Sequence, residues 1–287
     1  MKWILFTLLL FSLEVAAQPP PTAKVIQWVM TDFPPFLILA SQDAEVDIQK
    51  AQGPFAEAYR ELVRSLPQYE HKFVRASFMR AEKLFSAQKH FCTLLLQETP
   101  DRARYLIFGT EVARALPIGL VVPTSSLDKV KKFQSNDGVD LEALTHSEGF
   151  RLGVVQGRSY SRKIDPIVDK SQESFKLVSD RAIGGLFSML EKKRVDGVLA
   201  YYLEKLDHDK IKGSSKELTY LSIKQAPPFI SVRASCEKSL WGEAMIKEIS
   251  HVVVEKKIRK KIYDFFLISL PEDMKKKFRD IYQGPPN

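Results

Sequence analysis

The residues with the clearest chemical potential lie between positions 92 and 105. An apolar run, 92–96, ends in a polar segment that contains Gln97, Thr99 and Arg102. An apolar run of this length is typical of a buried strand. The Thr-Pro-Asp segment suits the start of a helical turn, because Thr can cap it and Pro fits its first position. Such a turn offers free backbone N–H groups beside a forked cation, which favours an anion-binding site. The alternative is an exposed turn with a solvated Arg.

Residues 1–17 have the features of a secretory signal peptide. Lys2 supplies the positive charge, residues 3–13 form a short apolar core, and Val15-Ala-Ala17 resembles a cleavage site. The apolar core is shorter than the ~20 residues that span a membrane. We expect cleavage after Ala17 and a soluble mature protein in the periplasm, with about 270 residues (287 minus 17).

The mature chain keeps the net charge of +8, because residues 1–17 contain one Lys and one Glu. A net positive charge can attract anionic ligands or surfaces. The alternative is that it only keeps the protein soluble. The Lys-rich segments 256–261 and 275–277 follow helical patterns, so we interpret them as solvated faces. Nucleic-acid binding is a poor fit for an exported protein.

The sequence gives no indication of a metal or a cofactor. The five histidines are scattered, without metal-ligand spacing. G-x-S-x-G, P-loop and G-x-G-x-x-G patterns are absent from the sequence. The two cysteines, Cys92 and Cys236, form an even count in an oxidising compartment, which suggests one disulfide; two buried thiols are the alternative.

Apolar, β-branched segments alternate with helical patterns along the chain. We predict strands at 24–30, 71–76, 92–96, 116–123, 151–155, 175–178, 195–200, 218–223 and 228–232. We predict helices at 53–66, 78–87, 183–190 (capped by Asp180), 239–261 and 272–282. Alternation of strands and helices is the mark of a parallel α/β sheet.

Two polar or aromatic segments directly follow predicted strands. Segment 31–36 holds Phe33 and Phe36 beside two prolines, which prevent a regular helix or ladder. Ligands bind at the carboxyl ends of parallel strands, so we expect segments 31–36 and 97–102 to meet at one edge of the sheet. The aromatic segment is then a stiff platform for a ligand, or a plug over the core.

The pattern predicts an α/β fold of two lobes joined by two crossings. Lobe I comprises residues 24–115 plus 227–287, and lobe II comprises residues 120–222. A cleft between two such lobes is a preferred place for a ligand.

At this level the sequence resembles the bacterial periplasmic solute-binding proteins of the amino-acid-binding type (family 3), as a divergent, uncharacterised branch. The motifs that carry the resemblance are Phe33-Pro-Pro-Phe36, Thr99-Pro-Asp-Arg102 with Phe108-Gly-Thr, Val154-Val-Gln-Gly157 and Leu190-Glu-Lys-Lys-Arg-Val-Asp196. The resemblance covers Lys24 to about Phe266. It implies a type II periplasmic-binding fold and a non-enzymatic, monomeric receptor that closes on a small solute. A separate membrane transporter, such as an ABC transporter, or a sensor would be its partner.

The resemblance also implies roles for individual residues. Arg102 would grip a ligand carboxylate, with Gln97 and Thr99 offering further donors, and Phe33 would stack on the ligand. The loop at 156–159 would close from lobe II. The complete expected ligand-binding set is Phe33, Phe36, Phe78, Arg80, Gln97, Thr99, Arg102, Gln156, Gly157, Ser159, Tyr160 and Tyr201.

This sequence departs from the family pattern in two places. Tyr201 stands at the position where amino-acid binders place a carboxylate that pairs with the ammonium group of the ligand. A tyrosine ring offers such an ammonium only cation–π attraction. An α-amino acid is therefore in doubt, and we expect an anionic, carboxylate-bearing solute. The expected Gly-x-x-Asp before the third strand reads Ala87-Gln-Lys-His90. Arg80 adds a second cation at the cleft edge or is a surface charge. The resemblance places both cysteines in lobe I, where a bridge would tie the returning segment to the central sheet.

Two other classes of function stay open. One is a dehydratase-like enzyme on the same scaffold, with Asp32, Glu98 and Asp101 as acid–base candidates. His208 lies in a polar Asp-His-Asp segment that we interpret as a surface turn. The other is an interaction protein that kept the fold and lost the pocket, which would show an apolar or blocked cleft.

Overall fold

The computed structural model describes residues 24–87, 90–171, 174–177, 182–214 and 217–282. The proposed signal peptide and the proposed cap Asp180 lie outside these residues. The strands are β1 Val25–Met30, β2 Glu70–Arg75, β3 Phe91–Leu96, β4 Leu106–Ala115, β5 Gly119–Pro123, β6 Gln134–Ser135, β7 Gly138–Val139, β8 Leu152–Val155, β9 Ser174–Leu177, β10 Gly197–Ala200, β11 Leu218–Ser222 and β12 Ile230–Glu237. The helices are α1 Pro54–Ser65, α2 Phe78–Ala87, α3 Leu127–Lys131, α4 Leu141–Thr145, α5 Asp165–Lys170, α6 Ala182–Glu191, α7 Tyr202–Lys212, α8 Leu240–Glu255, α9 Ile258–Ser269 and α10 Glu272–Asp280. Single 3₁₀ turns cover Arg102–Arg104 and Thr124–Ser126.

Two five-stranded sheets organise the chain. The first has the order β2-β1-β3-β12-β4, and the second has the order β11-β5-β10-β8-β9. In the first sheet β2, β1 and β3 are parallel, and β12 runs antiparallel to both β3 and β4. In the second sheet β10, β8 and β9 are parallel, and β5 is antiparallel to β10 and β11. The predicted parallel arrangement therefore holds for three neighbouring strands of each sheet, and it is interrupted where β12 and β5 run in the opposite direction.

The chain crosses between the sheets twice. It leaves the first sheet after β4, enters the second at β5, and returns between β11 and β12. This is the predicted α/β fold of two lobes with two crossings. The strands of the two sheets fall within the ranges proposed for the two lobes, except that β5 begins one residue early, at Gly119. That distribution supports the division of the chain, which we retain as a proposal.

Most elements that have a strong apolar pattern form as predicted. Helix α1 begins at Pro54, buries Phe55, Tyr59 and Leu62, and ends just before Pro67. Its Pro occupies a first-turn position, where the missing N–H costs nothing. Helix α2 has the predicted bounds. Strand β3 is buried throughout except at Leu95, which is half-buried.

The predicted long helix at 239–261 is wrong. Helix α8 ends at Glu255, and α9 starts at Ile258 after Lys257, which takes a left-handed conformation with φ of 52°. The junction contains neither Gly nor Pro, so the sequence shows no ordinary stop signal. Because of the break, α9 runs as a separate helix and buries Ile262 and Phe266.

Two substantial elements are missing from the sequence-based prediction. Strand β4 is mostly half-buried, so it lacks a continuous apolar run. Helix α7 is rich in charged residues, and the proposed surface turn around His208 is wrong. His208 lies within α7. It pairs with Glu191 at 2.9 Å and stacks on the ring of Phe187 at 4.5 Å.

A disulfide joins Cys92 to Cys236 at the centre of the first sheet, as expected. The S–S distance is 2.02 Å, and the two residues are direct partners in the β3–β12 register. The bridge therefore ties the segment that returns from the second lobe to the strand that leads into Arg102.

Removing this disulfide should destabilise the protein. The bond closes a loop with a sequence separation of 144, and a long closed loop restricts the unfolded chain strongly. We expect the double variant Cys92→Ala/Cys236→Ala to lose about 2–4 kcal/mol in free energy of unfolding, measured by urea denaturation. Dithiothreitol should lower the stability of the wild type towards that of the variant and leave the variant unchanged. Equal stabilities of the oxidised wild type and the variant would contradict this.

His71 makes the stability of lobe I depend on pH. Trp28 Nε1–H donates to His71 Nδ1 at 3.0 Å, so Nε2 carries the proton and donates to the Leu66 carbonyl at 3.0 Å. Burial lowers the pKa of His71 below its ordinary value of 6.5, and the hydrogen bond to Leu66 opposes that shift. Because the folded pKa is depressed, this stabilisation is present above pH 6.5 and is lost as the pH falls through the folded value.

We therefore expect the free energy of unfolding to fall between pH 7.5 and pH 5 more steeply in the wild type than in His71→Gln. The wild-type slope should exceed that of the variant by a fraction of one bound proton, measured by urea denaturation at several pH values. His251→Gln, at a side chain that is 78% exposed, is the matched control and should keep the wild-type slope. If His71→Gln kept it as well, the assignment would fail.

Candidate functional site

The candidate site lies between the lobes, where the carboxyl ends of parallel strands from both sheets face each other. Segment 31–36 follows β1 and Gln97 follows β3, while Gln156 follows β8 and Tyr201 follows β10. The cleft contains a polar cavity of 460 Å³ and an aromatic cavity of 40 Å³. Arg102, Arg158 and Ser159 line both cavities.

The structure brings together all but one of the residues expected to bind a ligand. The aromatic cavity is lined by Phe33, Phe36, Phe78, Gln97, Arg102, Ser159 and Tyr201. The polar cavity is lined by Thr99, Arg102, Gln156, Gly157, Ser159 and Tyr160. Arg80 lines neither cavity and is exposed near the start of α2. The roles of these residues stay predictions, but their placement in one cleft follows the strand-end rule.

The aromatic cavity is almost filled by the protein itself. The ring of Phe33 lies 4.9 Å from that of Phe36, 5.7 Å from that of Phe78 and 6.0 Å from that of Tyr201, between centroids. The remaining 40 Å³ is close to the ~30 Å³ that one water occupies in the liquid. In this closed form an organic solute does not fit among the rings.

Arg158, which the sequence reasoning missed, is the central side chain of the cleft. Its Nη1 and Nη2 donate to the two carboxylate oxygens of Glu204 at 3.0 Å each. Its guanidinium carbon lies 4.9 Å from the ring centroid of Phe33, 5.4 Å from that of Tyr160 and 4.8 Å from that of Tyr201. Both members of the ion pair are buried: 8% of Arg158 and 2% of Glu204 are exposed.

Glu204 places a carboxylate close to Tyr201, which stands where the family resemblance leads one to expect an acidic residue. It lies three residues after Tyr201, in the first turn of α7, and accepts the backbone N–H of Tyr201 at 2.7 Å. Burial raises the pKa of Glu204, while Arg158 opposes that shift. Burial also raises the pKa of Tyr201 to about 12. A guanidinium keeps its proton in proteins, and its two hydrogen bonds favour the ionised form of the Glu204 carboxylate.

Arg102 is buried rather than solvated, with 5% of its surface exposed. Its Nε donates to Glu82 Oε1 at 2.8 Å, and Nη2 lies 2.7 Å from the same oxygen. Nη1 donates to the Gln97 carbonyl at 3.1 Å, and Nη2 donates to the Gly157 carbonyl of lobe II at 3.3 Å. The alternative of a solvated Arg at this turn is therefore wrong.

The turn that holds Arg102 is capped as predicted. The Thr99 hydroxyl accepts the backbone N–H of Arg102 at 3.3 Å, at the start of a single 3₁₀ turn. Glu82 also accepts a hydrogen bond from the Tyr105 hydroxyl. Burial and this carboxylate raise the pKa of Tyr105. Glu82 thus has two partners in the closed cleft, the guanidinium of Arg102 and the hydroxyl of Tyr105.

The loop after β8 closes onto lobe I. Gln97 Nε2 donates to the Ser159 carbonyl at 2.9 Å. Asp165 shapes the loop, because it accepts the Ser159 hydroxyl and the Tyr160 N–H at 2.6 Å each. Helix α5 follows this loop and starts at Asp165.

The acid–base candidates of the enzyme hypothesis have structural partners. Buried Asp32 lies 3.4 Å from Arg75 and accepts the Leu39 N–H at 2.9 Å. Glu98 lies 3.6 Å from Arg233 at the surface. Asp101 borders the polar cavity and pairs with Arg104 at 2.6 Å. No group of three or more His, Cys, Asp or Glu side chains in the described part of the chain could hold a metal ion.

Gly157 lies very close to the backbone of lobe I. It has a left-handed φ of 79°, and a Cβ atom there would lie 2.6 Å from the Met79 backbone nitrogen of lobe I. Gly149 has a similar φ of 77°, and a Cβ atom there would meet nothing within 4 Å. The two glycines therefore share a backbone cost and differ in the contact between lobes.

Gly157→Ala should prevent full closure, whereas Gly149→Ala should not. Both variants lose roughly 1–2 kcal/mol from left-handed backbone strain. We expect Gly157→Ala alone to increase the radius of gyration in small-angle scattering and to melt at a lower temperature than Gly149→Ala. If the two variants matched in size and melting temperature, this contact would not control closure.

Comparisons with known proteins support the fold. No family model matches the sequence, and no curated protein matches it. An ancestral arginine-binding protein bound to arginine is 16% identical, with a TM-score of 0.63, over 84% of this chain and 97% of that one. The substrate-binding protein of an amino acid ABC transporter is 13% identical, with a TM-score of 0.61, over 84% and 97%. The solute receptor for L-cysteine of Neisseria gonorrhoeae is 16% identical, with a TM-score of 0.62, over 86% and 90%. The predicted fold class, a type II periplasmic-binding-protein-like fold, is confirmed.

Proposed function

We propose that this protein is a non-enzymatic solute-binding receptor, exported to the periplasm, that closes its two lobes on a small carboxylate-bearing solute for uptake or sensing. The observation that carries the proposal is the polar cavity of 460 Å³, whose wall is built by both lobes. This volume lies in the range of ligand sites in proteins, about 300–1,000 Å³. The similar structures are binding proteins for amino acids, such as arginine and L-cysteine, which favours binding over catalysis.

The proposed solute group is a carboxylate, because the cavity presents Arg102 on its lobe I side. In the closed form the carboxylate of Glu82 forms an ion pair with this guanidinium. The Glu82 side chain is 34% exposed and borders the cavity. A solute carboxylate can therefore take the place of Glu82, with Glu82 turning towards solvent, and Arg102 keeps a charged partner throughout.

The proposed partner is a separate membrane transporter or sensor. One similar structure belongs to an amino acid ABC transporter, and the described part of this chain has no helix long and apolar enough to cross a membrane. We propose that the receptor acts as a monomer and presents its closed form to that partner. Lobe I (24–115 plus 227–287) and lobe II (120–222) would then be the two moving bodies.

A second candidate is an interaction protein on the same fold with a lost pocket. The aromatic cavity of 40 Å³ favours it, because half of the cleft is blocked by the protein's own side chains. The polar cavity favours the receptor. A binding experiment separates the two candidates.

Thermal shift of the mature protein across carboxylates, amino acids, peptides and sugars should identify a solute. A ligand at ~100 times its Kd adds ~2.7 kcal/mol to stability. We expect Arg102→Gln to weaken the binding of a carboxylate solute about 10- to 100-fold, since hydrogen bonds to charged groups contribute roughly 1.5–3 kcal/mol. Glu82→Gln should strengthen the binding, because the internal competitor loses its charge. Isothermal titration calorimetry measures both effects.

Arg104→Gln is the matched control. Arg104 lies in the same turn as Arg102, but its side chain is 75% exposed, so the variant should bind as the wild type does. A solute that binds Arg102→Gln at full strength would refute the site. A panel without any hit would favour the interaction protein, and consumption of the hit over time would favour an enzyme.

A further inference from the structure

The guanidinium of Arg158 has the kinds of contact that a protein uses to bind a free guanidinium ligand. A guanidinium is recognised by carboxylates that match its fork and by the faces of aromatic rings. Glu204 provides the first feature through two hydrogen bonds of 3.0 Å. Phe33, Tyr160 and Tyr201 provide the second, at 4.8–5.4 Å from the guanidinium carbon.

The four groups around Arg158 come from both lobes. Phe33 follows β1 in lobe I, whereas Tyr160 and Tyr201 follow β8 and β10, and Glu204 lies on α7 in lobe II. The arrangement is complete only when the lobes are closed. Arg158 is therefore a tethered cation inside a site of the kind that two closing lobes form around a free ligand.

We propose that these four residues form a guanidinium-binding cage and that Arg158 is its built-in occupant. The cage is defined as Phe33, Tyr160, Tyr201 and Glu204. A well-oriented group of the same chain has an effective concentration far above the millimolar level of a free solute, so Arg158 keeps free cations out of the cage. Arg158 is in this sense a specificity-determining residue, which directs solutes to the polar cavity.

The structure argues against Arg158 as a simple lock between lobes. Its bidentate partner Glu204 belongs to the same lobe, so the ion pair persists when the lobes part. Only the contact with Phe33 is made across the cleft. The main effect of Arg158 is thus to neutralise Glu204 and to fill the space beside it, in both the open and the closed forms.

The cage can be tested by chemical rescue with methylguanidinium. Arg158→Ala removes the tethered guanidinium and leaves Glu204 buried without its counter-ion, which should lower the melting temperature. Methylguanidinium chloride at millimolar concentration should raise the melting temperature of this variant saturably, by roughly 2–4 °C. The wild type should not respond to methylguanidinium, because its cage is occupied.

Three controls define the site of rescue. Arg158→Ala/Glu204→Gln lacks the carboxylate and should lose the response. Arg162→Ala removes an exposed guanidinium from the same loop, which also borders the polar cavity, and should show no response. Methylammonium lacks the planar fork and should rescue Arg158→Ala less than methylguanidinium does.

Two outcomes would overturn the proposal. One is an Arg158→Ala protein that does not respond to methylguanidinium, either in its melting temperature or, if it does not fold alone, in its refolding yield. The other is a wild type that responds as strongly as the variant. The part of the proposal that concerns solute choice rests on the proposed receptor function, but the cage does not. A panel without a solute hit would refute the receptor and leave the rescue result intact.

Discussion

The buried ion pair between Arg158 and Glu204 is the interaction on which the cleft depends. Burial of two charges costs several kcal/mol per ion, and only close, well-oriented partners offset that cost. Here the two terminal nitrogens of the guanidinium, Nη1 and Nη2, donate to the two carboxylate oxygens of Glu204. Glu204 also binds the backbone N–H of Tyr201, so the pair fixes the loop that leads from β10 into α7. The rings of Tyr201 and Phe33 then cover the guanidinium.

Arg102 is satisfied by the same principle on the other side of the cleft. Its charge is matched by Glu82, and its remaining contacts are backbone carbonyls from both lobes. The cleft therefore contains two internal ion pairs, Arg102–Glu82 and Arg158–Glu204, in which each guanidinium meets a carboxylate. In the proposed binding mode a solute carboxylate replaces Glu82. Glu82 and Arg158 both border the polar cavity, but the guanidinium of Arg158 is also surrounded by three aromatic rings.

The sequence predicts the sheets and one half of the cleft well, because those features depend on local patterns. Apolar runs reveal β1 and β3, and the strand-end rule correctly groups Phe33 with Arg102. The Arg158–Glu204 pair is invisible to such reasoning, since it joins residues 46 positions apart. Glu204 lies in a charged helix that shows no apolar stripe. Arg158 lies in a turn where the family resemblance assigns roles to Gly157 and Ser159 but none to Arg158. Helix α7 and this pair were therefore missed together.

The Arg158–Glu204 pair determines the electrostatics at the end of the cleft where Tyr201 replaces the expected carboxylate. A carboxylate is present at this end of the cleft, but Arg158 neutralises it, so a ligand ammonium placed there would compete with a tethered guanidinium. Attraction for a positive group is thus cancelled in the aromatic half of the cleft, where only 40 Å³ remains. The polar half keeps Arg102, whose internal partner is partly exposed and can turn away. This electrostatic asymmetry of the closed cleft supports the proposal that a solute is recognised through its carboxylate.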